Sequence, residues 1–164
     1  MFELFHWVQD TGFATALRES GLTYPIVLAS HLAGMGIFGG LILMTDLRLL
    51  GVVMRGTPIS DVVSQFRAWK RVGLVMVAGC GIMLACAKAE LYYINPFFWT
   101  KMTLLTLVGV HAAVFHRSVY NNTAELDRAT AIPAHAKWAA GLSLFLWVGL
   151  ISAGRLIAYY EPPR

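Results

Sequence analysis

The chain has 164 residues, 57% of them hydrophobic and only 13% charged, with a mean hydropathy of +0.61. A soluble domain carries about 45–50% apolar and about 25% charged residues, so these side chains cannot all hide inside one globule. Disorder and a collagen-like repeat are excluded too, because the 15 Gly and 6 Pro follow no period. On so apolar a chain the formal charge of +4 reads as a determinant of membrane orientation, not as a nucleic-acid footprint.

In chain order, residues 1–21 form an amphipathic segment. Phe2, Phe5, Val8, Phe13 and Ala16 share one helical arc, with Glu3 and Asp10 opposite. The pattern predicts a short helix lying in the outer interface. The segment lacks the basic start, long apolar run and small-residue cleavage site of a signal peptide.

Residues 22–164 contain four apolar stretches near the roughly 20 residues that cross a bilayer as helix. They fall at about 22–46, 71–94, 96–117 and 136–160. Asn95-Pro96 marks the turn between the second and third, because proline cannot continue the helix behind it. The expected fold is an all-α integral membrane protein, a four-transmembrane-helix up-and-down bundle with a short N-terminal interfacial helix.

Orientation follows from Lys and Arg. The first connection carries Arg48, Arg55, Arg67, Lys70 and Arg71, and the third Arg117, Arg128 and Lys137. Arg18, Lys88, Lys101, Arg155 and Arg164 lie toward the other side. The positive-inside rule predicts a bacterial inner-membrane protein with both polar connections cytoplasmic and both termini periplasmic. Trp7, Tyr24, Tyr92, Tyr93, Trp99, Tyr159 and Tyr160 gather at the outer ends as an aromatic belt. Cys80 and Cys86 lie on opposing faces of one helix, about 9 Å apart along its axis, and cannot bridge.

Ionisable side chains inside membrane helices are costly and by default mark function. Here they are His31, Lys88, Glu90, Lys101, His111, His116 and Arg155, with Asp46 and His135 at helix ends. Four of the five histidines belong to this set, and neutral imidazole ligates haem iron and several transition metals. His31 shares its face with Gly34, Met35, Phe38, Ile42 and Thr45, flanked by Gly36, Gly39 and Gly40. Small neighbours leave room for a flat macrocycle, and equally allow close helix packing without one.

The third span carries two histidines about 140° apart. His116 lies on a small-residue face with Gly109, Ala112 and Ala113, whereas His111 lies among Leu104, Leu107, Val108 and Phe115, where it is a ligand or else hydrogen-bonds a neighbouring helix carbonyl. His111 is the nearer to His31 in depth, about 9 Å further in; His116 has the better face. His135 follows Pro133 near the inner end of the fourth span, where it is a second partner for His116 or an ordinary interfacial residue. Lys88, Lys101 and Arg155 approach the outer interface on three helices. Basic groups there suit haem propionates, or else snorkel and pair with Glu90.

The stretches HLAGMGIFGGLILMTDLRLLG (31–51), FWTKMTLLTLVGVHAAVFHR (98–117) and SLFLWVGLISAGRLIAYY (143–160) resemble a group of poorly characterised bacterial inner-membrane proteins. More distantly they are similar to four-helix transmembrane b-type cytochromes and to copper-resistance membrane domains. The cytochrome resemblance implies haem b held by paired histidines, with electrons exchanged with quinones or periplasmic carriers. The depths of the histidines depart from two stacked bis-histidine pairs, which leaves one haem or two.

The leading expectation is therefore a haem b electron-transfer protein rather than a hydrolytic or transferase enzyme. Its ligands are drawn from His31, His111, His116 and His135, and its propionate anchors from Lys88, Lys101 and Arg155. The alternatives are a copper-handling protein using His31, Met35, Met76, Met83 and Met102, and a non-catalytic subunit or assembly scaffold whose buried polar groups fix helix register. Membrane lipid, a second copy or a larger membrane complex are the expected partners; nucleic acid is not.

Overall fold

The computed structural model describes residues 1–118, 123–129 and 131–161, with backbone only for 116–118. Every element among them is helical: α1 (Phe2–Gln9), α2 (Gly12–Glu19), α3 (Thr23–Leu49), α4 (Ile59–Ala87), α5 (Ala89–Tyr93), α6 (Pro96–Ser118), α7 (Thr123–Arg128) and α8 (Ala134–Leu156). A 3₁₀ turn at Ile157–Tyr159 extends α8. Four segments are long and apolar enough to cross a membrane: Thr23–Leu49, Ile59–Ala87, Pro96–Phe115 and Ala134–Tyr159. The chain is a multi-pass, all-α membrane protein.

Most of the spanning surface is turned outward; Val75, Val114 and Phe145 are among its exposed apolar side chains. That surface needs no protein partner in lipid, so packing between spans rests on close fit rather than on removal of apolar area from water. α3 packs most extensively on α4, α8 packs on α3 and on α6, and backbone contacts between α4 and α6 are sparse among the described residues. The spans thus follow one another as α4–α3–α8–α6, with α5 joining the two outer members at one end.

Glycine makes the α3–α4 seam close. A β-carbon at Gly73 would stand 2.9 Å from Phe38 Cβ and 3.0 Å from Phe38 N. One at Gly34 would stand 3.1 Å from Met76 Cγ and from Val77 Cγ2. The α3–α8 seam is looser and aromatic: the rings of Phe38 and Trp147 meet edge to face at 5.5 Å.

Three boundaries differ from the hydropathy reading. The amphipathic segment is two helices, because α1 ends at Gln9 with Asp10 as its C-cap and Thr11 Oγ1 accepts from Ala14 N at 3.4 Å to cap α2. The second span starts at Ile59 rather than 71. Its first turns bury Ile59, Val62 and Val63, and Asp127 caps it from 68 residues away by accepting from Ile59 N at 2.5 Å. Burial pushes the Asp127 carboxyl up, but donation from Ser60 and from the Ile59 and Ser60 N–H groups, with Arg48 nearby, outweighs it and holds the group below its usual value.

The same span also stops early, at Ala87. Lys88 leaves helical conformation (φ −135°, ψ 39°), and the N-terminal segment satisfies the freed backbone groups. Arg18 Nη1 donates to Ala87 O at 3.4 Å, and Glu90 N donates to Gln9 Oε1 at 3.2 Å. Asn95-Pro96 behaves as expected. Asn95 Oδ1 accepts from Phe97 N at 3.0 Å, while Nδ2 donates to Ile157 O at 3.1 Å and ties the start of α6 to the end of α8.

The glycine seam gives the first prediction. Gly73→Ala pushes a methyl group into the Phe38 backbone and should destabilise the protein by about 1–3 kcal/mol, the usual cost of overpacking. Gly79→Ala meets nothing within 4 Å and should be neutral or slightly stabilising. Thermal unfolding of both variants in detergent, followed by helical circular dichroism, checks the contrast.

Candidate functional site

His31 lies nine residues into α3 and is 8% exposed. Its ring is seated against α4: Nδ1 bonds Val77 O at 3.0 Å, and a β-carbon at Gly81 would stand 3.1 Å from His31 Cε1. The donor must be the imidazole N–H, since the partner is a carbonyl. That bond fixes the tautomer and leaves Nε2 as the nitrogen with a lone pair. Of the small residues of α3 near His31, Gly34 packs against the Met76 and Val77 side chains of α4 and Gly39 faces Trp147 of α8, whereas Gly36 and Gly40 have nothing within 4 Å.

Lys101 enters this level from α6, close enough for its charge to act on His31. Its Nζ lies 3.7 Å from the position that a β-carbon at Gly154 of α8 would take. This end of the spans therefore brings His31, Gly81, Lys101 and Gly154 together from four different spans.

The other two cations expected as anchors turn elsewhere. Lys88 Nζ sits over the Tyr24 ring at 5.0 Å. Arg155 is exposed; its Nη2 donates to Tyr159 Oη at 2.7 Å, and its guanidinium lies 5.0 Å from the Tyr159 ring centre. Glu90 pairs with His6 of α1 rather than with a lysine.

His111 is on a different helix pair from His31. It interacts with the backbone of Ala139 on α8 and packs at 5.7 Å against the Phe115 ring, and its Nε2 is buried without a hydrogen-bond partner. With Val114, Phe115, Trp138, Leu142 and Phe145 it lines an open apolar groove of about 620 Å³ between α6 and α8. His31 and His111 are thus not assembled into one site. The His116 side chain lies outside the described residues, as do Arg117 by side chain and Arg164 entirely. His135 is exposed at the start of α8.

Among the described residues no three His, Cys, Asp or Glu side chains gather in a metal-binding arrangement. Cys80 and Cys86 are both free.

Once these positions are laid out, one comparison bears on the whole chain. A model for a family of unknown function, DUF6644, matches residues 4–160. The chain belongs to that family. No curated protein matches it, nor does any solved structure. The DUF6644 match runs from the N-terminal helices through all four spans, so the N-terminal segment is part of the family unit.

Two features of this DUF6644 member escape a sequence reading. One is the cluster formed by Thr45, Asp46, Lys70 and Ser143, which is developed below. The other is the His6 clamp: Nδ1 meets Glu90 Oε1 of α5, and Nε2 lies 3.4 Å from Asp10 Oδ2. Bonding to Glu90, then the charges of Asp10 and Glu90, raise His6 above its ordinary value of 6.5.

Because the folded value is the higher one, this stabilisation is complete below the unfolded-state pKa and is lost as pH rises through the raised value. A spin label at Leu4→Cys should therefore gain mobility with rising pH as α1 loosens from α5. His6→Gln should abolish that dependence; an unchanged profile in His6→Gln contradicts the clamp.

Proposed function

We propose that the protein is a b-type cytochrome of the bacterial inner membrane, carrying electrons through haem held by its intramembrane histidines. The observation that supports this most is the condition of His111, whose Nε2 is buried without a partner. An unpaired ring nitrogen at membrane depth is costly unless something takes it up. His31 adds to this. Its Nδ1 is tied to a backbone carbonyl, which is how ligating histidines are usually oriented, with the opposite nitrogen left for metal.

The residues fit haem best at His111; at His31 the ring is seated on α4 at Gly81 and Val77, and Nε2 is the nitrogen left to a ligand. His111 stands beside apolar groove walls that suit a macrocycle face, and Lys101 is close enough to His31 for its charge to act there and to be available to a propionate. Haem supplies one-electron transfer when bound; the chain supplies ligation, a low-dielectric surround and charge, which together set the potential. Orientation with both polar connections cytoplasmic and both termini periplasmic follows from the Lys and Arg count. A membrane quinone or a periplasmic carrier is the proposed exchange partner, and the chain itself is proposed to act as a homo-oligomer or as a subunit of a membrane complex.

A scaffold role is the second reading, and one observation favours it. The His31 ring fills the notch at Gly81 and bonds Val77, as a register-fixing residue would. Copper handling finds less support, because the histidines stand apart and Lys101 places a positive charge near His31.

Haem counts on single variants test the proposal. His111→Ala should lose haem, and His31→Ala should lose a separate share, so that the two deficits add. Full occupancy in both variants contradicts ligation by either residue and leaves the scaffold reading.

A further inference from the structure

A second polar centre lies at the loop-rich end of the spans, well apart along α3 from His31. Asp46 is 2% exposed and Thr45 1%, so the carboxyl group is sealed inside the protein. Ser143 of α8 hydrogen-bonds it, and Lys70 of α4 places a positive charge beside it. Three spans therefore converge on one carboxyl. One of its oxygens, Oδ2, is buried and has no hydrogen-bond partner.

The neighbouring polar atoms are already committed. Thr45 Oγ1 donates to Leu41 O at 2.7 Å and accepts from Lys70 Nζ at 2.8 Å. The Ser143 hydroxyl is taken by Asp46 itself. A metal cation needs several oxygens around it at once, and here a single oxygen is on offer beside a resident ammonium group. What a lone, unsatisfied carboxylate oxygen in such a place can take is a proton.

We propose that Asp46 is a proton-exchange site, loaded and unloaded at Oδ2 from the loop-rich end of the protein. Loading forms an O–H bond at Oδ2 with a proton given up by hydronium, which leaves as water; unloading reverses this, and no electron moves.

Lys70 is the charged group that acts on Asp46 from α4. α8 presents the neutral Ser143, and α3 itself turns Arg48 away to donate to Thr57 O at 2.9 Å. Lys70 is half-buried, and its ammonium, held on Thr45 Oγ1, is the charge beside the carboxyl. The chemistry is that of an intramembrane carboxyl paired across helices, the usual form of a proton relay. It is independent of the haem proposal.

Infrared difference spectra of the full-length protein in detergent, recorded as bulk pH is stepped, test the assignment. A carbonyl stretch from a protonated carboxyl should appear and disappear with pH, move to lower frequency in D₂O, and vanish in Asp46→Asn. Ser143→Ala keeps the carboxyl but removes its hydrogen bond, so the same band should persist at a changed frequency. If Asp46→Asn does not fold, that displacement alone decides, and an unmoved band overturns the proposal. So does the absence of any such band, its survival in Asp46→Asn, or a response to sodium at constant pH. Because the readout is the carboxyl group, its failure leaves the haem counts untouched, and the reverse also holds.

Discussion

Everything else in the structure depends on how closely α3 and α4 approach. Gly34 and Gly73 remove the side chains that would otherwise hold the two backbones apart, and in lipid such fit is the main attraction between helices. Its consequence toward the start of α3 is the seating of His31, whose ring occupies the notch at Gly81 and bonds the Val77 carbonyl. At the other end it brings Lys70 within 2.8 Å of Thr45 and beside Asp46. One seam thus positions two polar centres about 22 Å apart along α3, at 1.5 Å per residue over the interval from His31 to Asp46.

Hydrocarbon offers no hydrogen bonds, so each polar group in the spans must find its partner within the protein. Most do so through the backbone: Thr100, Thr103 and Thr106 each return their hydroxyl to the carbonyl four residues back. Where the helical ladder is interrupted, distant segments complete it, with Asp127 at the start of α4 and Gln9 and Arg18 at the break around Lys88. Asp46 Oδ2 and His111 Nε2 stand out against this pattern as buried atoms left without partners. They are therefore where bound chemistry is most directly called for.

Four spans, the Asn95-Pro96 turn and the amphipathic start were legible, because length, apolar runs and proline are local properties. The true start of α4 was partly so: Pro58 followed by Ile59, Val62, Val63 and Phe66 is a helix start with an apolar 3–4 spacing, hidden by the charges of Arg67, Lys70 and Arg71. The break at Lys88 has no local signal, since its capping groups come from Gln9 and Arg18. The individual histidines were also visible as candidates. Their separation onto the α3–α4 and α6–α8 pairs was not, because the order α4–α3–α8–α6 is a tertiary property. The Asp46 centre was missed for a related reason: Lys70 read as a loop residue and Ser143 as unremarkable until three helices met.

Redox chemistry at the histidines is the central claim, and its most direct test is the visible spectrum of the purified wild-type protein, produced with ample haem and recorded oxidised and then chemically reduced. The account predicts a Soret band that sharpens and shifts on reduction, with the α and β bands of a b-type haem emerging. A protein that is folded, helical and free of any Soret absorption in both states would contradict it.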